Sequence, residues 1–543
     1  MVKAQTKYIF VTGGVISSLG KGITTASIAK VLQSKGHRVA CVKCDMYVNI
    51  DAGTMRPTEH GEVFVTKDGV ETDQDLGNYE RFINVDTDWH NYVTTGQIYQ
   101  EVIRKERNFE YEGEDVEVVP HVPEEIIRRI KLAGKVARAN IVMIEIGGTV
   151  GEYQNILFLE ADRMMKRDIP ENVLNVHVSY LPIPQTAGEM KTKPVQNSVR
   201  TLNAAGIQPD FVVGRSERSL DKKRIEKIAT FCNVKEEDVI SNPDIESIYE
   251  IPLLFDEQKF GESILKKLKL GSERKKLNEW RKLIKKIKSV SREVKIGVVG
   301  KYFKTGDYDL EDSYISVIEA IKHASWANDV KPKIKWLDSE QFEKNPKNVN
   351  KLADLDGIIV PGGYGSRGIE GKINAIKFVR ENNIPYLGLC YGMQLAVVEF
   401  ARHVAGLKGA NSTEINPRTK HPVIDVMEEQ KKILEDKDYG GTNRLGAYPC
   451  AVRKDTFAYK AYKKERISER HRHRYEFNNK YRDKLIKKGL RIGGVYRQKN
   501  LVEIIEIPEH KWFVGSQFHP EFQSYPQSPH PLFRDFIQAA ASK

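Results

Sequence analysis

The sequence predicts an α/β fold in two domains, each a parallel sheet with helices on its faces, the first opening on a P-loop-like glycine turn. Three observations carry this. From Lys7 to about Pro252, apolar runs alternate with helical stretches, and YIFVTGG, RVACVKCD, ANIVMIEIGG, NVLNVHVSYLP and DFVVGRS are apolar throughout, as strands covered on both faces are. The alternation stops in the basic stretch GSERKKLNEWRKLIKKIKSVSREV and restarts at Val294 with VKIGVVGKY, DGIIVPGGYG, IPYLGLC and KWFVGSQFHPE. A chain of 543 residues also exceeds what one core serves. The expected boundaries are 1–270 for the first domain, 271–293 for a charged helical linker and 294–543 for the second.

Composition narrows the function classes. Hydrophobic residues make up 40% and charged residues 29%, as in a soluble globular protein. No apolar run is long enough for a membrane span, and MVKAQTKYIFVTGG has no signal-peptide cleavage pattern, so a cytoplasmic protein without a membrane partner is expected. The net charge of +12 suits anionic ligands such as phosphates, although a solvated lysine-rich surface gives the same number. No nucleic-acid-binding motif is present, and no nucleic-acid partner is expected. The five cysteines (Cys41, Cys44, Cys232, Cys390 and Cys450) are odd in number and irregularly spaced, which argues against a disulfide framework. Cys41 and Cys44 form a C-x-x-C with no second ligand pair nearby, and strand packing explains them better than zinc.

The first element of interest is TGGVISSLGKGITTAS, which follows the first strand and opens a helix. Glycines let a backbone wrap phosphate, the helix N-terminus supplies N–H donors, and Lys21 supplies a point charge. The spacing departs from the standard loop: five residues separate Gly14 from Gly20, and Gly22 stands where Ser or Thr is usual. Lys43 and Asp45 end the second strand, Asp73 and Asp75 lie in ETDQDLGNYER, and Glu145 ends the strand of IVMIEIGGTVG. Carboxylates beside a phosphate cradle are hard oxygen ligands of the kind Mg²⁺ takes. In GEMKTKPVQNSVR, Lys191 and Lys193 precede a helix and offer charge to a second triphosphate; alone they are an exposed basic turn.

In the second domain, PYLGLCYGMQLAV reads as a strand through Leu389 and a helix from Tyr391 to His403, with Cys390 on the turn. Such a turn presents its central side chain beside a helix N-terminus, where a thiolate is favoured. A free thiol with a pKa of about 8.5 still needs a base. SQFHPEF offers His519, with Glu521 two residues on and placed to orient it. VPGGYGSRG offers backbone N–H groups around Gly362 and Gly363 for an oxyanion.

GLCYGMQ, PGGYG and FHPE resemble the triad glutaminase domains of the type 1 glutamine amidotransferases. SSLGKG, GEVFVTKDGVETDQDLGNYERF, EIGGTVG and GEMKTKP resemble the amidoligase domain of the CTP synthase family, and RHRHRYE and ANSTE are also present. The resemblance covers essentially the whole chain. It implies a synthetase (amidoligase) domain followed by a glutaminase domain, assembled as a homotetramer, that converts UTP, ATP and L-glutamine into CTP, ADP, phosphate and glutamate. GTP would activate and CTP would inhibit. It also implies roles. Cys390 is the nucleophile, His519 the base and Glu521 its orienter; Gly363, Tyr391, Gly392, Met393, Gln394, Glu414 and Arg474 hold glutamine. Ser18, Leu19, Gly20, Lys21, Gly22, Ile23 and Asp75 contact ATP, with Asp75 and Glu145 on Mg²⁺ and Lys43 at the transferred phosphoryl group. Ser17, Lys191, Thr192, Lys193, Pro194, Val195, Gln196 and Lys227 bind UTP or CTP, together with Glu152, Tyr153 and Gln154. Arg367 and Glu370 match a segment near GTP, GGTNRLGAYPC a lid, and Pro57, His60 and Val63 the constriction of an ammonia passage.

Three positions depart from the family pattern. Glu152-Tyr153-Gln154-Asn155 replaces Asp-Ile-Glu-Ser, which puts feedback by CTP in question more than catalysis. Asp45-Met46-Tyr47 lacks the family's proline, and Tyr391 replaces leucine. Two rival readings, a P-loop amidoligase acting on a carboxylate and a non-catalytic scaffold, are opposed respectively by GEMKTKP with ETDQDLG and by the intact Cys390, His519, Lys21 and Asp75.

Overall fold

A computed structural model of the chain describes residues 5–186, 188–272, 277–301, 304–305, 308–309, 311–363, 367–427, 430 and 440–542. Tyr302 of the VKIGVVGKY run, residues 273–276 of the expected linker and residues 364–366 of VPGGYGSRG lie outside them. The contacts divide the chain into two compact units, residues 1–50 with 78–284 and residues 51–77 with 285–543.

The first unit is built on a seven-stranded sheet. Its order is Tyr92–Thr94, Val39–Asp45, Ile141–Ile146, Lys7–Gly14, Val173–Tyr180, Phe211–Ser216 and Val239–Pro243. Every pairing is parallel. The strands are buried almost throughout because helices cover both faces, which is why they read as unbroken apolar runs. Lys7–Gly14 is central, and the helix Lys21–Ser34 leaves from its carboxyl end, the side on which ligands gather in open α/β sheets. Cys41 and Cys44 are buried in Val39–Asp45, and all five cysteines are free.

The second unit holds a nine-stranded mixed sheet ordered Lys331–Asp338, Glu293–Gly300, Gly357–Val360, Tyr386–Leu389, Phe513–Ser516, Leu501–Glu506, Arg491–Tyr496, Arg444–Val452 and Arg466–His473. The first five are parallel and the remainder antiparallel. One apolar core packs around Tyr391–His403 and Ile369–Glu381 on one face; another packs around Ile315–Ala327 and Pro531–Ala541 on the other. Segment 51–77 brings to this unit a short hairpin, Phe64–Val65 with Glu71–Thr72. Its Glu62 accepts from Ser316 N–H at 3.2 Å and so caps the helix that follows.

The linker region forms the helix Asn278–Ser289, whose Trp280 is buried and donates from Nε1 to Tyr249 O at 2.7 Å. Its residues to Ile284 count with the first unit and those from Lys285 with the second. Among the described residues no helix is long and apolar enough to cross a membrane.

Candidate active site

In the second unit, Tyr386–Leu389 and Tyr391–His403 leave Cys390 alone between them. Its φ of 50° and ψ of −98° form a conformation that non-glycine residues hold only under constraint, at a cost of about 1–3 kcal/mol. The constraint comes from both sides. Cys390 N–H donates to Ser516 O at 2.6 Å, and Gly392 lies so close to the neighbouring strand that a Cβ there would be 2.1 Å from Val360 O. The elbow therefore fixes the thiol's direction.

Cys390 Sγ donates to Arg472 O at 3.7 Å and accepts from Gln517 Nε2 at 3.6 Å. His519 Nδ1 donates to Glu521 Oε1 at 2.7 Å. That bond leaves Nε2 as the other ring nitrogen, buried and without a hydrogen-bond partner among the described residues. Burial works against the charged imidazole, but Glu521 and Cys390 outweigh it and raise His519 to about 10. Glu521 and the sulfur therefore favour the imidazolium that forms when the thiol proton moves to the ring.

Cys390, His519 and Glu521 line one cavity of about 450 Å³ together with Gly363, Glu414 and Arg474. Pro57 and Val63 line it too, whereas His60 sits with Nδ1 3.5 Å from Asp73 Oδ2. Tyr391, Gly392, Met393 and Gln394 form the first turn of the buried helix, where Gln394 donates to Tyr475 O at 2.7 Å. Arg474 Nη2 donates to Thr442 Oγ1 at 2.9 Å, which ties it to the GGTNRLGAYPC stretch, and Asn443 of that stretch also lines the cavity. Arg367 pairs with Glu340 at 2.8 Å and Glu370 with Arg402 at 2.9 Å.

In the first unit the loop after Lys7–Gly14 bends through positive φ at Val15, Ser18 and Gly20. Ser17 and Ser18 are exposed, Leu19 and Gly22 buried, and Ile23 half-buried. Lys21 begins the helix and donates to Gly148 O at 2.7 Å. Gly14 cannot be larger, since a Cβ there would lie 1.5 Å from Ser198 Oγ. Lys43 Nζ donates to Glu145 Oε1 at 3.0 Å and lies 3.8 Å from Asp45; Tyr79 donates to the other Glu145 oxygen. Glu145 belongs to the first unit and Asp75 to the second. Among the described residues no group of three or more His, Cys, Asp or Glu side chains is placed to hold a metal by itself. Asp75 and Glu145 are each hard oxygen donors of the kind Mg²⁺ takes alongside nucleotide phosphates and water.

Of the expected pyrimidine-nucleotide residues, Thr192 precedes and Lys193 and Pro194 open the helix Lys193–Ala204; Val195 and Gln196 are buried in it. Lys191 pairs with Glu189 at 2.5 Å, and Lys227 is exposed on Lys222–Cys232. Glu152 accepts from Thr149 N–H at 2.9 Å, while Tyr153 is 93% exposed and Gln154 is exposed beside it. Reading the sequence missed Gln517 and Arg472 at the sulfur. Arg472 had a signal, the alternation in RHRHRYE, which puts Arg470, Arg472 and Arg474 on one side of an extended chain and His471 and His473 on the other.

Known proteins extend this picture. A family described as "CTP synthase N-terminus" matches residues 7–270, and "Glutamine amidotransferase class-I" matches residues 309–539. A CTP synthase of Caldanaerobacter subterraneus is 54% identical over 537 residues, covering 98% of each chain. One from Clostridium acetobutylicum is 52% identical over 540 residues, covering 99% of each. Among solved structures, the glutaminase domain of Trypanosoma brucei CTPS with bound acivicin is 39% identical, covering 46% of this chain and 94% of that one at a TM-score of 0.43.

Proposed function

The chain belongs to the CTP synthase family, and from that premise we propose that it aminates UTP to CTP with ATP, taking its nitrogen from glutamine or from free ammonia. The observation that carries the reading is the elbow thiol of Cys390 in one cavity with the hydrogen-bonded His519–Glu521 pair.

In this reading the Cys390 thiol passes its proton to His519 and Sγ attacks the side-chain carbonyl of glutamine, forming a C–S bond as the C=O π pair moves onto oxygen, while N–H groups around Gly362 and Gly363 steady the oxyanion. The raised pKa of His519 supplies the acid: the imidazolium hands its proton to the departing amine, the C–N bond breaks, and ammonia leaves behind a thioester. Now neutral, His519 takes a proton from water, which cleaves the thioester to glutamate and restores the thiol site. Glu414 and Arg474 offer opposite charges to the α-amino and α-carboxylate groups of glutamine. The cavity lined by Pro57 and Val63 would hold the nitrogen as NH₃, the form that has a lone pair.

At the nucleotide site the ATP γ-phosphoryl group passes to the uracil 4-oxygen. Ammonia then adds at C4, and phosphate leaves. Ser18–Ile23 wrap the ATP phosphates, and Lys21 and Lys43 neutralise the moving charge. Asp75 and Glu145 would hold Mg²⁺, which when bound spreads that negative charge further. Ser17, Glu152–Gln154, Lys191–Gln196 and Lys227 face UTP, or CTP as inhibitor, and GTP acts near Arg367 and Glu370. A cytoplasmic homotetramer completes the proposal.

The test is Cys390→Ala. Glutamine-dependent CTP formation should vanish while the ammonia-dependent rate stays near wild type. Loss of both in a folded variant would refute the division of labour.

A further inference from the structure

The strand Arg466–His473 holds two things at once. Arg470 is 1% exposed, donates from Nη1 to Val65 O at 3.2 Å and lies over the Phe64 ring at 5.4 Å, while its own carbonyl accepts the His519 N–H at 2.8 Å. Phe64 meets Phe522 edge-on at 5.1 Å, and Phe522 stacks on the His519 imidazole at 5.0 Å with 15° between the planes. The four residues close a ring of contacts. Two positions along the strand the pattern repeats: Arg472 Nε donates to Glu71 Oε1 at 2.7 Å, and its carbonyl accepts from Cys390 Sγ. The arginine side chains thus grip segment 51–77, and their carbonyls hold the histidine and the cysteine.

We infer that Arg470 is a positioning residue for the thiol site, fixing the His519 imidazole to segment 51–77 through Phe64 and Phe522; this rests on the reading of Cys390 and His519 given above. A shift of Phe64 tilts Phe522 and with it the imidazole plane, and a shift of Val65 pulls the strand that accepts the His519 N–H. The groups facing the imidazole are Glu521 and Cys390, with His471 and His473 behind them, which burial holds well below the usual histidine range.

The experiment compares full-length wild type, Arg470→Met, Arg470→Lys and Phe64→Leu. It measures the rate at which iodoacetamide alkylates Cys390 across about pH 6–10, and kcat and KM for glutamine hydrolysis. Arg470→Met and Phe64→Leu should shift the alkylation profile and lower kcat about 10- to 100-fold, as a misplaced catalytic group does, with KM within about twofold. Arg470→Lys, which keeps the charge, should recover part of that loss. An unchanged profile and kcat in a folded Phe64→Leu overturns the inference, as does a fall that merely follows lost stability in denaturant melts. If alkylating wild-type Cys390 leaves glutamine-dependent synthesis intact, the reading of the thiol site fails instead, whatever the variants do.

Discussion

Two buried histidines show how neighbours set a side chain's charge. His177 lies between Thr12 Oγ1 at 2.9 Å and Ser198 Oγ at 2.7 Å; burial, aided by Lys21, pushes it down to about 3, so it is a neutral bridge between hydroxyls. His519 is also buried, yet burial is overridden by Glu521 and Cys390 and the ring is raised to about 10. A group raised in the folded state adds stability that is full below its unfolded value, about 6.5, and is lost as pH climbs through its folded value. For His519 that window runs from about 6.5 to about 10. Glu521→Gln removes the nearest carboxylate, so the variant should be less stable than wild type at pH 7, and the gap should narrow as both are taken above pH 10. Thermal melts across that range check this; a gap that stays constant would mean that His519 is not charged by Glu521. The spacing in FHPE pointed to the His519–Glu521 contact, but not to its geometry: Glu521 lies in the short 3₁₀ turn Pro520–Gln523, not on the extended chain that the spacing suggested. The strength of their coupling was not legible either, since it depends on how deeply the fold encloses them.

Among the elements, those easiest to read were the buried parallel strands and the Cys390 elbow, where Gly388 and Gly392 bracket a sharp turn between an apolar strand and a helix. The antiparallel half of the second sheet was not legible. RISERHRH (Arg466–His473) is charged at half its positions, with two histidines besides, and lacks the apolar signature of a strand, yet Glu469, Arg470, His471 and His473 are all buried in it. The fold pairs these groups off: His471 Nε2 lies 3.6 Å from Glu503, and Arg444 Nη2 lies 2.8 Å from the same carboxyl group. Sequence patterning cannot foresee a strand whose charged residues are buried against charged groups of other strands. The arrangement has a measurable consequence. Burial pushes Glu503 up to about 7, against the pull of Arg444. Its contribution to stability is therefore full below about pH 4.5 and lost as pH rises through about 7. Wild type should lose stability relative to Glu503→Gln between pH 5 and pH 8, read as the difference in urea midpoints. If that difference does not change with pH, Glu503 is already charged at pH 5.

At the scale of the whole molecule, order along the chain and grouping in space part company. Reading the sequence placed the first boundary at 270, from the basic stretch that interrupts the alternation. The contacts instead group residues 51–77 with 285–543, through partners about 400 positions away such as Arg472 for Glu71. No local signal announces this, because a hairpin of two-residue strands and a few polar side chains has no periodicity to read. What holds the segment is electrostatic as much as apolar. Glu71 is 1% exposed and paired with Arg472 at 2.7 Å, so the attraction is little screened and the loss of Arg472 takes the cation from a buried carboxylate. Arg472→Met should therefore destabilise the protein by about 3–5 kcal/mol, the cost of leaving a buried carboxylate without its cation. Glu71→Gln added to Arg472→Met removes the stranded charge and should return part of that loss, and a double-mutant cycle from urea melts isolates the coupling. Strictly additive effects would show that the pair does not hold segment 51–77 to its unit, leaving that to Phe64 and Glu62.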